Sequence, residues 1–311
     1  MFDIVEKRRW YFAFSGVLIA LSLIVMVLSA VRYGQPLRLG IDFVGGSIFT
    51  LKFDSPADAE SIREVFDDLG FENSIVQPLG GPDDHTWQVR TREVTSEELS
   101  RLLTALDEGI GALDRDALQF DSVEPSVGNE VARAAGMAIL VASLVIVAFM
   151  WFSFRRVPHA LRYGVCTIAG MTHNLVLTFG FYAVMGIVAG WEVDALFLTA
   201  ILTVIGFSVQ DVIVVFDRIR ENIPKRRGEP YERIVNRSIL ETLHRSLATQ
   251  LNAMFVMIAI ILFGGSTIRP FIATLLVGMV SETYSAIFIA VPLLVEWEKR
   301  AGRKTLVKVA A

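Results

Sequence analysis

The sequence predicts a membrane α-helical protein with six transmembrane helices and one α+β domain inserted after the first of them. Three observations carry that prediction. The 311 residues are 53% hydrophobic and 20% charged, with a mean hydropathy of +0.51, more apolar than an ordinary soluble domain. The charge is partitioned: residues 33–128 carry 19 acidic and 7 basic side chains, the remainder 14 acidic and 22 basic. Six apolar runs reach the roughly 20 residues a helix needs to cross a bilayer. This pattern excludes a fully soluble enzyme, a disordered chain and a nucleic-acid binder, whose basic residues would form one accessible patch. The single cysteine, Cys166, rules out an internal disulfide and lies in an apolar run, where packing is its expected role.

The expected spans are 10–31, 131–152, 163–189, 195–216, 247–264 and 271–295. The first exceeds the apolar length of a signal peptide and reads as an uncleaved anchor. Lysine and arginine resist translocation, so their distribution sets orientation. Lys7, Arg8 and Arg9 precede the first span; Arg155, Arg156 and Arg162 follow the second; Arg218 to Arg237 follow the fourth; Lys299, Arg300, Arg303, Lys304 and Lys308 follow the sixth. The opposite loops are nearly bare. All six spans agree on cytoplasmic termini, with the acidic segment outside. The expected division is therefore 1–32, cytoplasmic start and first span; 33–128, external domain; 129–298, spans two to six with a basic cytoplasmic loop at 217–245; and 299–311, a cytoplasmic tail.

Within the acidic segment, 47–53 alternates as a strand. Ser55 followed by Pro56 opens a helix to Leu69. Residues 74–79 and 85–91 read as a hairpin around the turn 80–84. Thr95 and Glu98 form a capping box that starts a second helix. Residues 117–123 read as a last strand. The order βαββαβ is that of the ferredoxin-like fold. No nucleophile–base pair or metal-ligand spacing occurs here, and His85 reads as part of a solvated turn.

Ionisable residues within the spans demand a reason, because each costs at least ~2.5–3.5 kcal/mol at the bilayer centre. Asp211 sits in VIGFSVQDVIVVF with Ser208 one turn before it, and reads as a proton carrier or as a member of a fixed ion pair. Arg245, Thr249 and Asn252 follow helical spacing as one polar stripe. Arg245 is either the counter-charge to Asp211 or a cation snorkelling to the membrane edge. Glu282 lies deep in the sixth span with Gly278 and Ser285 on its face, a second proton carrier or a hydrogen-bonded structural acid. His173, beside Asn174, reads as structural, with titration as the other possibility. Asp217 and Arg218, with Arg220 and Glu221, read as a charged helix continuation at the cytoplasmic boundary, and the basic residues nearby suit anionic lipid heads.

Four stretches resemble the SecD/SecF family of protein-export membrane proteins, in the RND superfamily. They are GIDFVGG (40–46, with Gly40, Asp42, Gly45 and Gly46), GFSVQDVIVVFDRIREN (206–222), NRSILETLHRSLATQLNA (236–253) and SETYSAIFIAVPLL (281–294). With six spans and one external domain, the resemblance covers nearly the whole chain. It implies half of an RND-like assembly, working with SecD to use the proton-motive force in assisting export of unfolded preproteins through the SecYEG channel. It further implies that Asp211 and Arg245 take part in proton coupling. The chain departs from the family pattern at three places. Asn174 stands where an aspartate is common, Gln210 replaces the asparagine before the fourth-span aspartate, and Glu282 replaces a small residue. One acid disappears and another appears, so Glu282 is expected to take over the lost carboxylate role.

The reading is a non-enzymatic transport subunit with no cofactor and no metal site. No G-x-x-x-x-G-K-[ST] motif is present, which fits energy drawn from a gradient. The alternative is a proton-driven RND-type exporter half for small molecules or lipids, disfavoured by the small size of the single insertion. An intramembrane hydrolase using Asp211 and Glu282 would need the two carboxyls to share a proton.

Overall fold

The structure, a computed structural model, describes residues 3–72, 74–79, 84–155, 159–226, 228–265 and 268–300. Most of the expected turn at 80–84, Arg156, and the tail with Arg303, Lys304 and Lys308 lie outside the described residues. In chain order the elements are α1 (Arg8–Tyr33), α2 (Ile41–Val44), β1 (Gly46–Lys52), α3 (Ala59–Asp68), β2 (Ile75–Pro78), β3 (Thr86–Thr91), α4 (Ser96–Gly109), β4 (Gln119–Val123), α5 (Pro125–Phe154), α6 (Ala160–Val188), α7 (Ala195–Lys225), α8 (Tyr231–Phe263), α9 (Arg269–Ser285), a π-helical turn (Ala286–Ala290) and α10 (Val291–Arg300). They form two compact units. One joins Met1–Arg38 to the chain from Met137 onward, and the other is Leu39–Gly136.

The first unit contains helices long and apolar enough to cross a membrane, α1, α6, α7, α8 and the continuous run α9–π–α10, together with α5 from Met137 onward. Three of them, α6, α7 and α9, form the interior, and α9 packs against α6, α7 and α8. Small residues let these helices approach. A Cβ on Gly278 of α9 would lie 2.2 Å from Val204 Cγ2 of α7, and one on Gly180 of α6 would lie 2.3 Å from Ser22 of α1. The outward faces are apolar, with Val17, Leu21 and Leu28 on α1, Leu140 and Leu144 on α5, and Phe255 and Leu262 on α8 all exposed, as a lipid-facing surface requires.

The long helices overrun the apolar runs that mark them. α7 continues to Lys225 and α8 begins at Tyr231, so the stretch 217–245, expected as a basic loop, is helical on both sides of a short turn. The charged ends are tied together. Arg218 donates to Glu221 at 2.8 Å and to Glu241 at 2.6 Å, while Asn222 Nδ2 donates to Ser238 Oγ and Glu241 Oε2 at 3.0 and 2.9 Å. Hydropathy marks the bilayer, whereas these helices persist beyond it on such pairs.

The Leu39–Gly136 unit contains a four-stranded sheet of order β2-β3-β1-β4, each neighbouring pair antiparallel. Phe49, Leu51 and Phe53 point to the buried face and join Phe66, Leu102 and Leu106 from α3 and α4 in one core, while Thr50 and Lys52 alternate to the other face. The Thr95–Glu98 capping box opens α4. Ser55 does not cap α3. The cap is Asp58, whose own backbone is extended and whose carboxylate accepts from the Ser61 N–H at 2.8 Å, so the helix starts at Ala59.

Candidate functional site

The family-signature glycines build a tight joint. Gly40 precedes the single turn of α2, which contains Asp42. Gly45 and Gly46 follow with φ of +78° and +122°. A Cβ on Gly45 would lie 2.6 Å from Pro125 Cα, one on Gly46 2.7 Å from the Thr91 carbonyl, and one on Gly128 2.9 Å from the Phe43 carbonyl oxygen. Glycine is therefore required twice over at Gly45 and Gly46, by backbone sign and by space, and by space alone at Gly128. The start of α5 packs directly on the chain that enters β1.

The interior of the helical unit holds the polar residues. Asp211 on α7 is 5% exposed and Glu282 on α9 is 0% exposed. A single amide joins them: Gln250 Nε2 on α8 donates to Glu282 Oε2 at 2.7 Å and to Asp211 Oδ2 at 3.2 Å. A second amide lies in the same interior. Asn174 Nδ2 on α6 donates to Ser208 Oγ on α7 at 2.9 Å, and Asn174 Oδ1 accepts from Ser281 Oγ on α9 at 2.8 Å. Each amide thus links three helices. Ser208 Oγ in turn donates to the Val204 carbonyl at 2.8 Å. His173 Nδ1 lies 3.3 Å from Asn174 Oδ1, and its ring stacks on Tyr284 at 6.0 Å. Tyr284 donates to the Tyr11 carbonyl and accepts from Ser15 of α1.

Of the two readings of Arg245, the pairing with Asp211 is not what the structure contains. Arg245, Thr249 and Asn252 lie on the exposed side of α8, and Gln210 on the exposed side of α7. The inward stripe of α8 is one position away: Ser238, Thr242, Ser246 and Gln250, each buried and spaced by four. Asp211 meets an amide in place of a guanidinium. Thr249 hydrogen-bonds only along its own helix, to the Arg245 carbonyl. Asp217 pairs with Arg220, and Arg218 with Glu221 and Glu241, at the end of α7 and away from the buried acids.

Sequence reasoning reached both acids but missed Gln250 and Ser281. The i, i+4 stripe ending at Gln250 was its only signal, and it ran beside a second polar stripe that held the arginine. No cluster of metal-binding side chains occurs among the described residues.

Residues 104–300 match the family model described as protein export membrane protein SecD/SecF, C-terminal, and residues 33–57 match the SecD/SecF GG motif. The protein translocase subunit SecF of Thermobaculum terrenum is 42% identical over 309 residues, covering 96% of this chain and 95% of that one. That of Synechocystis is 34% identical, covering 94% and 93%. Among solved structures, SecDF from Thermus thermophilus, described as a translocon-associated membrane protein, superposes with a TM-score of 0.81 at 28% identity. The match covers 96% of this chain but 39% of SecDF. SecDF in a super-membrane-facing form gives 0.67 at 29% identity, with 40% of it covered.

Proposed function

The chain belongs to the SecD/SecF protein-export family, and from that premise we propose that it is the SecF-like subunit of the Sec machinery. Paired with SecD, it uses the proton-motive force to help unfolded preproteins through the SecYEG channel. The observation that carries the coupling is the membrane-buried acid Asp211, joined through Gln250 to a second acid and through Ser208 and Asn174 to α6 and α9. Proton binding at such a site changes the hydrogen-bonding of several helices at once, the requirement for turning a gradient into movement.

In this reading both termini are cytoplasmic and the acidic unit lies outside, where it meets emerging polypeptide. Its β-α-β-β-α-β order and its sheet order support a ferredoxin-like domain. The functional division follows at 1–32, 33–128, 129–298 and 299–311. The exposed Gln210, Arg245, Thr249 and Asn252 face SecD in the assembled pair, where Arg245 serves the proton pathway from the interface. The work is transport without covalent chemistry: an amide stands between the two acids, where acid-pair hydrolysis needs a water.

The test is export into inverted vesicles containing SecYEG and SecD. Asp211→Asn assembles, retains gradient-independent export and loses the gradient-dependent part. A well-assembled variant that exports like wild type at every gradient overturns the assignment.

A further inference from the structure

We propose that Asp211 and Glu282 form one proton-binding pair, with Glu282 the resting carrier of the proton and Gln250 the positioning residue that holds both. This deepens the gradient-driven reading and relies on it only for the consequence in export.

The geometry assigns the atoms. Gln250 has one N–H for each acid, so Asp211 Oδ2 and Glu282 Oε2 are both acceptors. The proton therefore belongs on one of the remaining oxygens. Glu282 Oε1 is fully buried and has no hydrogen-bond partner among the described residues. An ionised oxygen in that position has no donor to replace its lost water, whereas a neutral carboxyl is tolerated there at far lower cost. Asp211 completes the pair as the anion.

Among the described residues the surroundings offer no other neutralising charge. From α7 the facing titratable group is Asp211 itself. From α6 it is His173, whose ring addresses Asn174. From α9 it is Tyr284, turned toward α1. α8 turns no titratable group toward the acids among its described residues: its facing side chain is the uncharged Gln250, and Arg245 lies on the adjacent, exposed stripe. Two carboxylates sharing one amide, with no cation facing them, cannot both remain charged in a low-dielectric interior. Asn174 contributes an amide, so α6 supplies no third acid.

The step balances simply. One proton adds to Glu282 Oε1 to give a carboxyl beside a carboxylate, and the same O–H bond breaks to release it. On release, two anions compete for one amide. α7 and α9 already touch at Val204 and Gly278, so the repulsion is relieved by separating the helices and not by closer packing.

The experiment is infrared difference spectroscopy on the full chain with its partner in lipid, reading the C=O stretch of protonated carboxyls. Wild type shows one such band at neutral pH that disappears on alkalinisation. Glu282→Gln abolishes the band. Asp211→Asn retains it with an altered pH profile. Gln250→Leu shifts its frequency, a change that lost packing alone does not produce. Absence of the band in wild type, its survival in Glu282→Gln, or its indifference to Gln250→Leu overturns the pair. The vesicle export assay is the separate arm, in which Glu282→Gln loses the gradient-dependent part at least tenfold. If the band behaves as stated while export is unchanged, the pair stands and the gradient-coupled function falls.

Discussion

Gln250 and Arg245 lie on different faces of one helix, and the difference decides what Asp211 meets. Their side chains belong to adjacent polar stripes on α8, only one of which is buried. The acids were legible from the sequence because a carboxylate in an apolar run is costly and conspicuous. The bridging amide was not, since an uncharged glutamine costs less and one chain cannot reveal which of two stripes faces inward. The signature glycines make a second residue-scale case. Gly45→Ala meets both a wrong-signed φ and the backbone of Pro125, whereas Gly70→Ala, at φ +82°, meets open space. The expected loss of stability is ~2–3 kcal/mol or more at Gly45 and ~1 kcal/mol at Gly70. Protease protection of the Leu39–Gly136 segment in membranes checks this: equal effects would remove the steric argument.

At the scale of elements, hydropathy located every long helix but not where each one ends. The ends depend on charged pairs such as Arg218–Glu241, which look the same in sequence whether the backbone is helix or loop. Local capping chemistry was legible where its residues were unambiguous, at Thr95 and Glu98, and misplaced at Ser55, where Asp58 competes with it. The capping box also titrates. Its acceptance of hydrogen bonds from Arg92, then from Thr95, holds the Glu98 carboxyl down at about 2. The folded value lies below the ordinary glutamate value of about 4.3, so its contribution is complete above about 4.3 and is lost as the pH falls toward 2. Hydrogen exchange at the first turn of α4 should therefore be protected at pH 5 and loosened near pH 2.5, with Glu98→Gln insensitive over that window. Thr95→Ala should weaken the same turn by ~1 kcal/mol at pH 5, and by less near pH 2.5, where the bond from its hydroxyl to ionised Glu98 contributes less. A wild-type turn that exchanges equally at both pH values contradicts the argument.

Taken as a whole, the molecule presents polar groups on outward helix faces that are otherwise apolar. Gln210 of α7 and Arg245 and Asn252 of α8 are exposed on helices whose neighbouring surface is apolar. In the proposed pairing with SecD, the partner covers this surface. Arg245→Leu should then weaken co-purification with SecD and abolish gradient-dependent export, while Phe255→Leu on the apolar side of α8 should leave both unchanged. Pairing with SecD that is indifferent to Arg245→Leu would place the interface elsewhere. Six spans and an inserted α+β unit could be read from the chain because composition alone separates the two materials. The interior arrangement could not, since hydropathy gives the number of helices and says little about which three lie at the centre.

The contact of Pro125 and Gly128 with the chain at Phe43 and Gly45 means that the entrance and exit of the Leu39–Gly136 unit meet. A segment whose two ends touch is, in evolutionary terms, a cassette. It can be lengthened, shortened or exchanged for another fold of the same end-to-end spacing without altering the register of the helices on either side. The constraint then falls on the few residues of the joint and not on the body of the unit. Sequence divergence among relatives should accordingly concentrate within 47–123, and the glycines at 45, 46 and 128 should be the last positions to change.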